Sequence, residues 1–305
     1  MSELFRTLMT EKFIEKGLSP ASIKLYLAKA KKLNSGVEIS NLNFLKKTED
    51  IKKQLDAIEN LNTRKSYVTA IVSLLRESKK LPKLLVLYQG MMIEMIEESK
   101  DIDPAEKTPK QMENWMTWPE VEEVYKTLKT NVLLKPVSEV KYNIMSKRLY
   151  ADYMLLSLYV LFPPRRALDY FAMVISTDGV MEDETLNYYN VRSNKFVFNV
   201  YKTAGSYGQE TFEVSPYLQQ VILDHIEAFE LTHMTYLLRN QDNVAPESVN
   251  WVTKTLNRIF DKKVSVSMLR HIYLTSAYGE TVKKMELDSK AMSHSTTQQR
   301  EYIKE

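Results

Sequence analysis

The chain has no cysteine, seven glycines and four histidines among its 305 residues, and each shortage removes a class of protein. Without thiols there are no disulfides and no thiolate metal sites, which fits a reducing compartment. Seven glycines are few for a fold built on glycine-rich turns. The four histidines, His225, His233, His271 and His294, share no metal-ligand spacing, so no metal is expected. No run reaches the roughly 18 apolar residues of a membrane span. The opening stretch, MSELFRTLMTEK, carries charges where a signal peptide would need its apolar segment. The expectation is an intracellular protein that neither enters nor crosses a membrane.

What is present is folded globular material, 44% hydrophobic and 27% charged. It is long enough for two domains with cores of their own. Long segments rich in Leu, Lys, Glu, Met and Tyr favour a mainly helical protein. The net charge of +3 conceals an asymmetry: residues 1–83 hold 17 Lys and Arg against 9 Asp and Glu, and the rest hold 25 against 30. A polyanion-binding module shows such a basic front, because each neutralised phosphate releases counterions; a solvated Lys-rich helix surface gives the same count.

Residues 1–98 read as a small helical domain. Ser19-Pro20 is an N-cap and first-turn proline, opening a helix through Ile23, Leu27, Ala30 and Leu33 that stops at Asn34-Ser35-Gly36. Ile51, Leu55 and Ile58 signal a second helix, and Tyr67, Ile71, Leu74 and Leu75 a third starting after Asn62 or Thr63. A fourth apolar run spans Leu84 to Ile96. Lys24, Lys31, Lys32, Arg64, Lys65 and Arg76 are left for solvent or for a polyanion. Residues 99–113 are charged, contain two prolines and lack apolar periodicity, which predicts a linker.

The second domain, 114–305, begins with a capping box at Thr117-Trp118-Pro119-Glu120. Tyr150–Leu161 is near-continuously apolar and predicts a buried helix. Pro163, Pro164, Arg165 and Arg166 come after it, Arg166 standing three residues before Asp169. Such arginines are costly to hold unless an anion uses them, Asp169 itself being the simplest one. From Asn194 to Ser215 the period becomes two, predicting a β-hairpin whose turn contains Gly205 and Gly208. Lys202 lies where the first strand meets that turn, the place of an ordinary solvated lysine or of one reaching into a cleft. In the last forty residues Arg270 and His271 fall on one predicted helix, His294 follows a second, and Tyr302 lies eight residues beyond His294. Arg, His and Tyr in that order suggest a phosphate-handling site.

The motifs PPRRALDY, NVYKTAG, SMLRHIYLTSAYG and MSHSTTQQREY resemble the boxes of the tyrosine recombinases, also called the phage integrase family. GLSPASIKLYLAKAKKL and NTRKSYVTAIVSLL resemble that family's helical core-binding domain. The resemblance covers nearly the whole chain. It implies a mainly α fold with a small β-hairpin or sheet: an N-terminal helical core-binding domain clamping DNA through the basic residues above, then an α+β catalytic domain. It also implies the roles. Arg166 and Arg270 would hold the non-bridging oxygens of a scissile phosphodiester, bidentate and permanently charged. Tyr302 would attack phosphorus to give a 3′-phosphotyrosyl link. Lys202 would protonate the departing 5′-oxygen, His294 would hydrogen-bond the phosphate, and Asp169 would orient its neighbours.

No cofactor and no metal are implied; the partner is a double-stranded DNA target site, met by a homo-oligomer that is a dimer on a site and a tetramer in a synapse. The protein would act in cytoplasm or nucleus, wherever that DNA is. Two departures stand out. Ser267 occupies the position three before the second arginine, where the family has His or Lys, and serine cannot exchange a proton at neutral pH as imidazole does; His271 is the neighbouring alternative. Only Ile303, Lys304 and Glu305 follow Tyr302, where many members of the family have a helix that docks into a neighbouring subunit; either such an exchange uses another element or the sequence has been shortened. A type IB topoisomerase-like relaxing enzyme and a DNA-binding relative that has lost cleavage are the other readings.

Overall fold

The computed structural model of the chain describes residues 2–100, 106–140 and 142–303. Residues 101–105 of the expected linker, and Lys304 and Glu305 after the tyrosine, lie outside the described residues. The chain divides into two compact units, Met1–Glu106 and Lys107–Glu305. The division falls inside the segment expected as a linker. Part of that segment is instead helical, opened by a Thr108–Gln111 capping box.

The first unit contains α1 (Ser2–Glu15), α2 (Pro20–Leu33), α3 (Thr48–Asp56), α4 (Leu61–Ser78) and α5 (Pro82–Glu98). Polar caps set where these helices start. Ser19 accepts a hydrogen bond from the Ser22 amide at 3.3 Å, and Asn60 accepts one from the Thr63 amide at 2.9 Å. Asn60, rather than Asn62 or Thr63, therefore opens α4, earlier than the apolar spacing suggests. Helix α1 is an addition to the expected set, because its charged residues mask the inward pair Met9 and Phe13. Val68, Ile71, Leu74 and Leu75 of α4 are buried at the centre, against Ile23, Leu33, Ile51 and Tyr88. The Tyr88 hydroxyl donates to the Leu45 carbonyl at 3.0 Å, and burial pushes its phenol up to about 12.

The second unit is mostly helical with one small mixed sheet, an α+β arrangement. Its helices are α6 (Pro109–Asn114), α7 (Trp118–Leu133), α8 (Val137–Val140), α9 (Ile144–Val160), α10 (Ala167–Phe171), α11 (Ala204–Tyr207), α12 (Pro216–Ala228), α13 (Asn250–Phe260), α14 (Val266–Ala291) and α15 (Thr296–Tyr302). The strands are β1 (Met173–Ser176), β2 (Asn187–Asn190), β3 (Lys195–Phe198) and β4 (Glu210–Glu213), in that order across the sheet. β1 and β2 are parallel and the other pairs antiparallel, with Phe196 opposite Phe212 in the β3–β4 hairpin. Helix α9 runs through the core with Met154, Leu155, Leu156, Leu158 and Tyr159 fully buried, as its apolar sequence predicts. Among the described residues no helix is long and apolar enough to cross a membrane.

Helix α14 corrects the sequence reading, which separates Arg270 and His294 by two helices. It is one helix of 26 residues, capped by Ser265, whose side chain accepts from the Met268 amide at 3.2 Å. Gly279 is its weak point, costing about 1 kcal/mol relative to alanine. The residues after it, Glu280, Lys283, Lys284, Met285, Glu286 and Leu287, are mostly good helix formers and include no proline, so the helix runs through. Val266, Met268, Leu269 and Ile272 root it in the core; beyond Tyr273 it is largely exposed until Ser289.

Candidate active site

The site begins where α9 ends. Pro163 and Pro164 hold the chain extended, and Arg166 sits at the N-terminal boundary of α10. Two adjacent arginines in extended backbone project differently, and here they have separate fates. Arg165 is bound on every side. Its Nε donates to Asp169 Oδ2 at 3.0 Å, its Nη2 donates to Glu210 Oε2 at 2.9 Å, and its guanidinium carbon stands 3.9 Å from the centre of the Phe198 ring. The carboxylate paired with the arginines is thus held by Arg165, not by Arg166 as the three-residue spacing suggests. Asp169 is 2% exposed and its Oδ1 has no partner. Burial raises its pKa, and the Arg165 charge works against that rise.

Arg166 makes no side-chain hydrogen bond or ion pair among the described residues, and neither does Arg270 on α14. The two line one open cavity of about 410 Å³, with Arg165, Asp169 and Tyr207. An edge-packed aromatic cluster supports it: Phe162 lies against Phe196 and Phe212, and Tyr170 against Phe196 and Phe198. Two unpaired guanidiniums from positions over a hundred residues apart, seated above an aromatic floor, leave ten donor hydrogens with no protein acceptor. Such a cavity suits a tetrahedral anion with several oxygens.

Other expected site residues lie apart from this cavity. Lys202 is exposed in the β3–β4 connection, between Tyr201 and Thr203, which do line the cavity. Ser267 and His271, one turn apart on α14, line a separate cavity of about 450 Å³ with Lys110, Lys263 and Ser265. His294 and Tyr302 lie together past the far end of α14, their ring centroids 5.8 Å apart. The His294 amide donates to the Ser289 carbonyl at 3.1 Å, and Ser295 caps α15 by accepting from the Gln298 amide at 3.2 Å. At a rise of about 1.5 Å per residue, Arg270 and the His294–Tyr302 pair are on the order of 30 Å apart along α14. The structure therefore divides the expected residues among three places: Arg166, Asp169 and Arg270 at one cavity with Lys202 beside it, Ser267 and His271 at another, and His294 with Tyr302 past the far end of α14.

No family model and no curated protein matches this chain. Among solved structures it is similar to the crystal structure of XerA recombinase, at 12% identity over 98% of this chain and 92% of that one, with a TM-score of 0.37. A likeness that loose assigns no residue a role.

In the first unit, most of the expected DNA-contacting cations already have protein partners. Arg64 donates from Nε and Nη2 to the Ile58 carbonyl, at 3.2 and 3.0 Å, and so closes the loop before α4. Lys65 donates to Ser99 Oγ at 3.0 Å, Lys31 pairs with Glu38, and Lys32 stands 5.8 Å from the Tyr67 ring centre. Lys24 and Arg76 are exposed and without a side-chain partner among the described residues. The residues that sequence reasoning leaves off the site are Arg165 and Glu210. Arg165 is visible in the double-arginine motif, but nothing in the sequence links it to Glu210, 45 residues on.

Proposed function

We propose that the chain breaks and rejoins duplex DNA through a 3′-phosphotyrosyl intermediate, as a site-specific recombinase or integrase of the tyrosine type. The observation that carries this reading is the shared cavity of Arg166 and Arg270, whose guanidiniums lack protein acceptors. A phosphodiester under attack gains charge on its non-bridging oxygens, and two fixed bidentate donors favour that state over the ground state. In the step itself Tyr302 Oη bonds phosphorus and the P–O5′ bond breaks. The phenol of exposed Tyr302 gives its proton to solvent water, and the 5′-oxygen leaves as a hydroxyl with a proton from Lys202, which sits on an exposed connection and is reprotonated by solvent. His294, beside the phenol, would hydrogen-bond the phosphate. Rejoining is the reverse attack by a 5′-hydroxyl, which needs no nucleotide because the phosphotyrosyl bond retains the energy of the broken one.

Asp169 positions rather than reacts: it holds Arg165, which in turn braces β4 through Glu210. Lys24 and Arg76 of the first unit would contact DNA phosphates. The test uses duplexes recovered from a random library by binding to the wild-type chain, nicked near the bound site and incubated with the protein. A detergent-stable protein–DNA adduct that is lost in Tyr302→Phe is expected. A bound duplex that never yields an adduct with the wild-type chain overturns the reading in favour of a DNA-binding relative without cleavage. Relaxation of supercoiled DNA without sequence preference would indicate a topoisomerase instead.

A further inference from the structure

We propose that the second unit carries a binding site for a nucleoside 5′-phosphate, separate from the Arg166–Arg270 cavity. It is a cavity of about 410 Å³ between α9, α13 and the turn at 240–242, and it shares no lining residue with the first. That volume suits a mononucleotide. Two helix faces form its walls: Arg148, Ala151 and Asp152 recur at helical spacing on α9, as Trp251, Lys254, Thr255 and Arg258 do on α13. Arg258 grips the buried Asp152 carboxylate with both Nη atoms and so ties the two walls together. With that pair satisfied, the groups still free are the ones that meet the ligand.

Each part of a nucleotide has a counterpart there. Arg148 and Lys254 line the cavity and make no side-chain hydrogen bond or ion pair among the described residues, which leaves two cations for a phosphate group. Trp251 is half-buried against the core and lines the cavity with the rest of its indole, a surface on which a base can stack. Asp242, exposed on the turn, can accept from ribose hydroxyls, as an acidic residue does in dinucleotide sites. Asn240 Oδ1 accepts from the Asp242 and Val244 amides, at 2.9 and 3.0 Å, so its NH₂ donors remain for a base edge. Thr255 points most directly to a ligand: it is only 3% exposed, yet its hydroxyl has no hydrogen-bond partner among the described residues. Buried polar groups are ordinarily satisfied, and a ligand in this cavity satisfies this one. A bare anion would leave the indole and Asn240 unused and would meet Asp242 as a like charge.

The test is equilibrium dialysis of the full chain, without duplex, against labelled adenosine, guanosine, cytidine and uridine 5′-monophosphates and against inorganic phosphate. At least one nucleotide should bind one-to-one with a dissociation constant below about 1 mM; binding of none overturns the proposal. Inorganic phosphate held as tightly as the nucleotides overturns it too, because base and ribose then contribute nothing. Arg148→Ala with Lys254→Ala removes no protein partner and should weaken the nucleotide by about 10²-fold, a factor of ten for each charge-assisted hydrogen bond, with the unfolding midpoint unchanged. Trp251→Leu should weaken it by about 10-fold through lost stacking. Arg166→Ala with Arg270→Ala should leave it within about 2-fold of wild type, since the two cavities share no residue. If instead that variant loses the nucleotide and the Arg148 and Lys254 variant keeps it, the ligand lies in the other cavity and the proposal falls. A single-stranded oligonucleotide that displaces the nucleotide supports the site with a DNA strand as the source, and one that does not supports it with the free nucleotide. Every readout is of binding, so failure of strand cleavage and failure of this site are told apart.

Discussion

The two units differ most in what they bury. Every fully buried polar or charged side chain among the described residues belongs to the second unit, including Asp152, Asp169, Asn187, Asn190 and His225; the core of the first holds only apolar side chains and the Tyr67 and Tyr88 rings. Aliphatic packing stabilises the first unit at little cost in desolvation. The second offsets the burial of dipoles and charges with a network of partners: Arg165 on Asp169, Arg258 on Asp152, and Asn187 donating to the carbonyls of Asp169 and Val200 at 2.9 Å each. Under the proposed function, a unit that grips a polyanion would place its cations outside, whereas the second unit braces Arg165 from within, beside the cavity of Arg166 and Arg270.

The sharpest way to break this contrast is at the cavity. Arg270→Ala should lower adduct formation by about 10²–10³-fold while leaving binding of the duplex near wild type, because it removes donors used mainly in the transition state. Equal losses in cleavage and binding would place Arg270 among ordinary phosphate contacts and erase the distinction between the units. Arg165→Met comes next. It leaves the buried Asp169 without its cation and should cost the second unit about 3–5 kcal/mol, read from the fluorescence of Trp115, Trp118 and Trp251, all of which lie in that unit. The first unit, which has no tryptophan, should unfold unchanged by circular dichroism.

Acid should also separate them. His225 is buried, its Nε2 3.0 Å from the Leu237 carbonyl, and burial lowers its pKa to about 3. The unfolded chain takes up a proton near pH 6.5 that the folded unit refuses, so the stability from neutral His225 is complete above pH 6.5 and is lost as pH falls toward 3. The loss is about 1.4 kcal/mol per pH unit, or roughly 3 kcal/mol between pH 6.5 and 4.5. The first unit contains no histidine and should be flat over that interval. Denaturation followed by tryptophan fluorescence at several pH values measures the slope, and His225→Gln should reduce it.

Elements whose signals are local were legible in the sequence. Ser19, Thr117 and Ser215 announce their helices because a cap is a contact between residues three apart, and β3–β4 shows the two-residue period of a hairpin. The strands β1 and β2 are four residues each and buried on both faces, so they carry no alternation to detect. Nor does the sequence tell Arg165 from Arg166. Neighbours in extended backbone see opposite surroundings, and which one meets Asp169 depends on Glu210 arriving from another strand. The length of α14 is hidden for a different reason. Gly279 lowers the helical preference of the segment, yet without a proline or a cap residue in the αL conformation it only weakens the helix.

The smallest effect sharpens the comparison from the other side. Lys24→Ala together with Arg76→Ala should weaken duplex binding almost equally for all sequences and reduce the slope of log affinity against log salt by about 2, one for each phosphate no longer neutralised. Adduct formation at saturating protein should not change. Arg64→Ala is the control that separates grip from fold: its guanidinium is already engaged by the Ile58 carbonyl, so it should lower the stability of the first unit by about 1–3 kcal/mol and leave the salt slope nearly untouched. A slope that falls as much for Arg64→Ala as for Lys24→Ala would mean that the dry unit, like the polar one, uses the same side chains for bracing and for binding.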